Sequence, residues 1–320
     1  MRTFEEIMSY SAMNKDYFEA LKCQVASSMV IPFIGSGMSV PIYPLWEKTL
    51  FELAEVADSS TKTTVYNMLK KDYISEHNLA YEETAQLLVN KLGQNTVMDR
   101  LKMIFDPKKI EDFDIKKMAI FIIPFLFNNG LILTTNYDHL IEKVYLNARN
   151  TLRAYNVFNS EIITRCLREA GVNPSLIQLH GDVEEMESTA IINSDSYDKA
   201  YNTNGELVKR LKECFKTRCI LFLGYSLHRD RTMNVLEQTL KYGARHFTIY
   251  PCCDDETSKM EKNKELSDKG IRAILYPDGE HDCVKTILEK LLSESFPDKH
   301  QQYISYIETE NNKKKIYMIS

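Results

Sequence analysis

Short apolar runs alternate with amphipathic stretches along most of this chain. The runs are Met29-Val30-Ile31-Pro32-Phe33-Ile34, Leu131-Ile132-Leu133-Thr134, Leu176-Ile177-Gln178-Leu179, Cys219-Ile220-Leu221-Phe222-Leu223, Phe247-Thr248-Ile249-Tyr250 and Ala273-Ile274-Leu275-Tyr276. Most are continuously apolar, as parallel strands covered on both faces are. Helical patterns occupy 138–147, 203–215, 230–241, 257–268 and 283–293, and 14–27 places Phe18, Leu21 and Val25 on one side. Strand alternating with helix predicts an α/β fold, a Rossmann-like doubly wound parallel sheet. Residues 51–117 interrupt the alternation. They read as polar helices studded with Leu and Tyr, a helical module inserted after the helix that Pro44-Leu45-Trp46 opens. Residues 1–295 are then expected to be one α/β domain, and 296–320, polar and ending near Lys313-Lys314-Lys315, a C-terminal tail.

In such sheets ligands bind beyond the carboxyl ends of the strands, so the residues after each run carry the candidate chemistry. The first run is followed by Gly35-Ser36-Gly37-Met38-Ser39, the second by Thr135-Asn136-Tyr137-Asp138, the third by His180-Gly181-Asp182 and the fourth by Gly224-Tyr225-Ser226. Gly35 and Gly37 would let a diphosphate approach backbone amides at a helix N-terminus, or would serve a plain strand-to-helix turn. Gly224 and Ser226 carry the same two readings. Asp138 is placed to cap the following helix. Capping does not account for Asn136, whose amide can both donate and accept and so can hold a ribose hydroxyl or a water. His180, at a strand tip, suits a general base. The other histidines have no metal-ligand spacing, and His228 falls in a loop near the crevice.

Composition narrows the class without naming it. A hydrophobic fraction of 44% and a charged fraction of 27% are those of a globular protein with a substantial core. The net charge of -5 supplies no basic face for nucleic acid. The seven cysteines contain no CxxC pair, which excludes a zinc ribbon and a thioredoxin-like motif. Their apolar neighbours suit buried, reduced thiols. The acidic start Met1-Arg2-Thr3-Phe4-Glu5-Glu6 is unlike a signal peptide, and the longest apolar run, Met118 to Phe127, is too short to span a bilayer. A cytoplasmic location is expected.

In their order the four tips resemble the motifs of the sirtuin family: a glycine-rich NAD loop, a Thr-Asn-x-Asp segment, a catalytic His-Gly and a Gly-Tyr-Ser turn. Asp282-Cys283-Val284, before the last helix, is similar to the family's adenine-contacting segment. The resemblance covers roughly residues 20–295 and implies NAD as substrate. Asn136, His180 and Asp138 would then be catalytic, and Gly35, Ser36, Gly37, Ser39, Thr135, Gly224, Ser226 and Cys283 would bind NAD. Two departures shift the implied activity. The paired zinc cysteines of sirtuin deacylases are missing, so no metal is expected. Their Pro-Asp-Phe-Arg segment is replaced by Pro41-Ile42-Tyr43-Pro44-Leu45-Trp46-Glu47. The pattern is similar to a bacterial branch used in anti-phage defence, whose members hydrolyse NAD to nicotinamide and ADP-ribose. Members act as homo-oligomers or with a partner defence protein. The alternatives are an NAD-dependent protein deacylase or ADP-ribosyltransferase, or a non-catalytic sensor of NAD or ADP-ribose.

Overall fold

The computed structural model describes residues 2–77, 79–156, 160–169, 172–202, 205–227, 230–240 and 246–317. Successive side chains of a strand point to opposite faces, and here both faces are apolar. In β1 (Val30–Ile34), Ile31 and Phe33 enter one core cluster while Val30 and Ile34 enter the other. The same split recurs along β2 (Leu131–Thr134), β4 (Ser175–Gln178) and β5 (Cys219–Leu223), where Leu176 and Leu221 face Ile34 and Ile177 and Phe222 face Phe33. Burying these runs on both sides requires helices above and below the sheet, which is why the runs alternate with helical segments.

With β3 (Arg153–Asn156), β6 (His246–Cys252) and β7 (Ile271–Pro277), the strands form one seven-stranded sheet in the order β3-β4-β2-β1-β5-β6-β7. Every pairing is parallel. From β1 the chain places β2 beside it, then the edge strand β3, then β4 between β2 and β3, before it crosses to the opposite side of β1 for β5, β6 and β7. The order reverses between β1 and β5, where such sheets open a crevice for ligands.

The sequence does not predict β3. This edge strand has one neighbour, and its Arg153-Ala154-Tyr155-Asn156 stretch lacks an apolar run because it need not be covered on both sides.

Among the described residues, 51–117 contain helices and turns and no strand. Leu53, Val65, Leu88 and Leu101 from this region pack into the same cluster as Ile34 and Leu223. The stretch after Phe296, expected to be an appendage, is instead the helix Pro297–Tyr317. Its Tyr303 is fully buried edge-on to Phe125, with ring centroids 5.3 Å apart, and its hydroxyl donates to Glu289 Oε1 at 2.6 Å. One buried aromatic per several polar residues is too sparse a pattern to read as an amphipathic helix. Among the described residues, no helix is long and apolar enough to cross a membrane.

Candidate active site

The β1 and β5 tips are joined backbone to backbone. Gly35 N–H donates to Leu223 O at 2.8 Å and Gly37 N–H to Gly224 O at 2.9 Å. A Cβ on Gly35 would lie 2.5 Å from Gly224 O, and one on Gly224 would lie 2.4 Å from the Met38 backbone nitrogen. Gly224 also has φ +63°. These glycines are therefore required by the contact between the two loops, whatever the loops bind. Ser36 is half-buried and Gly37 exposed, while Ser226 is exposed beyond the β5 tip.

The β1 and β2 tips are joined by side chains. Thr134 Oγ1 donates to Ile34 O at 2.9 Å and accepts from Asn136 N–H at 3.0 Å. Asn136 Nδ2 donates to Ser39 Oγ at 3.1 Å, and Ser39 Oγ donates to Asp138 Oδ2 at 2.9 Å. The other carboxylate oxygen of Asp138 accepts from Leu140 N–H at 3.0 Å, at the start of the helix Leu140–Asn147. Asn136 and Asp138 are only 6% and 3% exposed. Burial raises the Asp138 pKa, opposed by the hydrogen bonds from Leu140 and Ser39. Thr135 is half-buried.

The β2 and β4 tips are neighbours through the pairing of Thr134 with Gln178 and the bond from Leu179 N–H to Thr134 O at 2.8 Å. By that register His180 lies two residues beyond Gln178 as Asn136 lies two beyond Thr134, so the two stand at adjacent strand tips. The His180 ring is 7% exposed and enclosed by two tyrosines: Tyr201 Oη lies 2.9 Å from Nε2 and Tyr197 Oη 3.3 Å from Nδ1. Tyr201 Oη also lies 2.8 Å from Thr232 Oγ1. Desolvation pushes the His180 pKa down to about 3, so the imidazole is neutral at physiological pH.

Sequence reasoning missed these tyrosines and several other groups. Tyr197 and Tyr201 are one helical turn apart at the helix Ser194–Ala200, a short polar stretch with no apolar pattern to reveal it. Arg231, stacked 5.8 Å over Tyr197, donates to Glu82 Oε2 at 2.8 Å and pairs with Asp198 at 2.5 Å. Burial drives Glu82, on the helix Ala80–Leu92, up to about 7 despite Arg231. His139, given no role by its spacing, has Nε2 2.7 Å from Asp182 Oδ2. That contact raises the His139 pKa to about 9 against burial. Asp182 is pushed up by burial, but hydrogen bonds from His139, Gln178 and Glu184 N–H leave it below the ordinary range. Nearby Glu142 is raised to about 7, chiefly by burial.

His139, Asp182 and Glu184 hold ligand atoms within 4.8 Å of one another, so this group could take a cation even though the sequence suggests no metal spacing. Cys283 lies apart from the network. It starts the helix Asp282–Ser295 beyond edge strand β7, is 1% exposed, and packs in the apolar core. Cys166, Cys214, Cys219 and Cys252 are also buried, Cys23 and Cys253 are exposed, and all seven are free thiols. His228 lies outside the described residues.

A parallel sheet with its polar groups gathered at a topological switch point places this chain in the doubly wound class of α/β proteins, which bind ligands beyond the strand tips. Residues 130–274 match the family model described as the SIR2-like domain. That matched span, somewhat less than half of the chain, includes Asn136, His180 and Gly224. The NAD(+) hydrolase ThsA of Enterococcus faecium is 27% identical over 228 residues, which cover 68% of this chain and 42% of that protein. The chain therefore spans less than half the length of this relative. Two solved structures are also similar. One, described as a Sir2 homolog–NAD complex, has 12% identity and a TM-score of 0.41 over 88% of this chain and 94% of that one. The other comes from work on the mechanism and regulation of Sir2 enzymes, with 13% identity and a TM-score of 0.39 over 88% and 97%.

Proposed function

We propose that this chain is an NAD+ hydrolase that yields nicotinamide and ADP-ribose, and that it is the effector of a bacterial anti-phage defence system that depletes NAD on infection. The observation that carries the reading is the adjacency of the four sirtuin-like motifs. They are the tips of four neighbouring strands, β4-β2-β1-β5, around the switch point. The SIR2-like domain match and the relative named as an NAD(+) hydrolase support the same substrate. The defence role and control through a homo-oligomer or partner protein rest on the motif resemblance, as does a cytoplasmic location.

Loss of nicotinamide passes through an oxocarbenium-like state, and nicotinamide leaves neutral from a cationic ring without a strong acid. The protein must therefore hold the ribose, exclude bulk water and admit one water. Asn136, with its Nδ2 committed to Ser39, keeps its Oδ1 to accept from a ribose hydroxyl or that water. Asp138 has both oxygens engaged, so its part is to orient Asn136 through Ser39. His180, neutral and at the strand tip adjacent to that of Asn136, is the base. Gly35, Ser36, Gly37, Gly224 and Ser226 border the crevice that would receive the diphosphate and adenosine ribose. Cys283 would act on the adenine side only through its backbone or by packing.

The test is nicotinamide release by the purified chain, with and without the product of its genomic neighbour. Release without any acylated peptide is the expected outcome. Consumption that requires an acylated peptide would make it a deacylase, and tight NAD binding without release a sensor.

A further inference from the structure

The two tyrosines hold His180 unequally. Tyr201 is buried, lies 2.9 Å from Nε2, and is itself anchored 2.8 Å from Thr232 Oγ1 in the first turn of the helix Arg231–Glu237. Tyr197 is half-buried and sits at the longer distance of 3.3 Å from Nδ1. One nitrogen thus has a fixed partner in the core and the other a weaker, more accessible one. We propose that Tyr201 is a positioning residue that accepts a hydrogen bond from His180 Nε2–H and donates its own O–H to Thr232 Oγ1, so that Nδ1 keeps its lone pair and is the nitrogen that works. Tyr197 then stands where the hydroxyl of the ribose or the attacking water will sit.

This inference rests on His180 being the base of the reaction proposed above. In the step itself the O–H bond of that hydroxyl breaks and its proton joins the Nδ1 lone pair, while Nε2 keeps its proton. The resulting imidazolium is held by the Tyr201 oxygen, as the third member of a catalytic triad holds its histidine. A neutral imidazole carries its proton on one nitrogen only, and which one is set by the partner of the other. At a buried histidine that choice decides whether the more accessible nitrogen can accept a proton at all.

The test combines nitrogen NMR of 15N-histidine-labelled protein with kinetics. The His180 signals are assigned by their loss in His180→Gln. The resting protein is expected to show His180 as the Nε2–H tautomer. Tyr201→Phe should weaken that preference and lower kcat for nicotinamide release at least about tenfold with KM little changed. Thr232→Val, which removes only the anchor, should move both readouts the same way and covers the case in which Tyr201→Phe does not fold. Tyr197→Phe should leave the tautomer unchanged. A resting His180 with its proton on Nδ1 would overturn the proposal, as would a folded Tyr201→Phe with unaltered tautomer and rate. An active His180→Gln would instead refute the role of His180 as base, leaving the tautomer result to stand or fall by itself.

Discussion

At the scale of single residues, the site contains two histidines with opposite electrostatics only a few residues from each other's strand tips. His180 is desolvated beside uncharged hydroxyls and stays neutral, whereas His139 faces Asp182 and stays charged up to about pH 9. The His139–Asp182 pair should therefore stabilise the fold in a defined window. The His139 pKa is raised on folding, so its contribution is complete below about pH 6.5 and fades as pH rises through about 9. The Asp182 pKa is depressed, so its contribution is present above the ordinary carboxylate range and fades as pH falls below it. Substituting His139→Gln should cost about 1–3 kcal/mol near pH 6 and progressively less by pH 9.5, measured by urea unfolding. A cost that does not change with pH would remove the ion pair from the account. Asn136 and His180 stood out in the sequence because each is a polar residue at the end of an apolar run. His139 was not, since its partner Asp182 is distant in sequence and the two meet only through β2–β4 pairing. Tyr197 and Tyr201 were hidden for the same reason: their significance is a contact with a ring at the end of another strand.

At the scale of elements, the apolar runs that fill both faces of the sheet could be read from sequence alone. β3 and the C-terminal helix could not. β3 is an edge with half the burial demand, and in the helix Pro297–Tyr317 Tyr303 is the most buried of the described side chains. Tyr303→Ala would empty the space against Phe125 and remove the bond to Glu289, and is expected to destabilise the protein by about 3–5 kcal/mol in denaturant unfolding. A change below about 0.5 kcal/mol would return this helix to the status of an appendage. The glycines show the converse limit of sequence reading. Gly35 and Gly224 were singled out correctly as tip residues, but the sequence could not show that they press on each other. Loop-to-loop packing, rather than access for a diphosphate, is the constraint the structure displays.

At the scale of the molecule, strand order turns four motifs scattered over nearly 200 residues into one surface. β2, β1 and β5 bring the asparagine network and both glycine loops together, and β4 adds the histidine. Bonds between adjacent tips then tie this surface into a unit, from Asp182–His139 at one end to Gly37–Gly224 at the other. What the surface cannot owe to packing alone is a buried Asn136 amide at one strand tip and a neutral histidine at the next, since apolar side chains would fill the same space without polar partners to satisfy. The most direct test of the account is NAD consumption by the parent protein, Asn136→Ala and His180→Ala, compared under conditions where the parent is active. The expected result is a loss of at least about a hundredfold in each variant, with folding retained by circular dichroism. A folded variant of either kind that consumes NAD at the parental rate would contradict it.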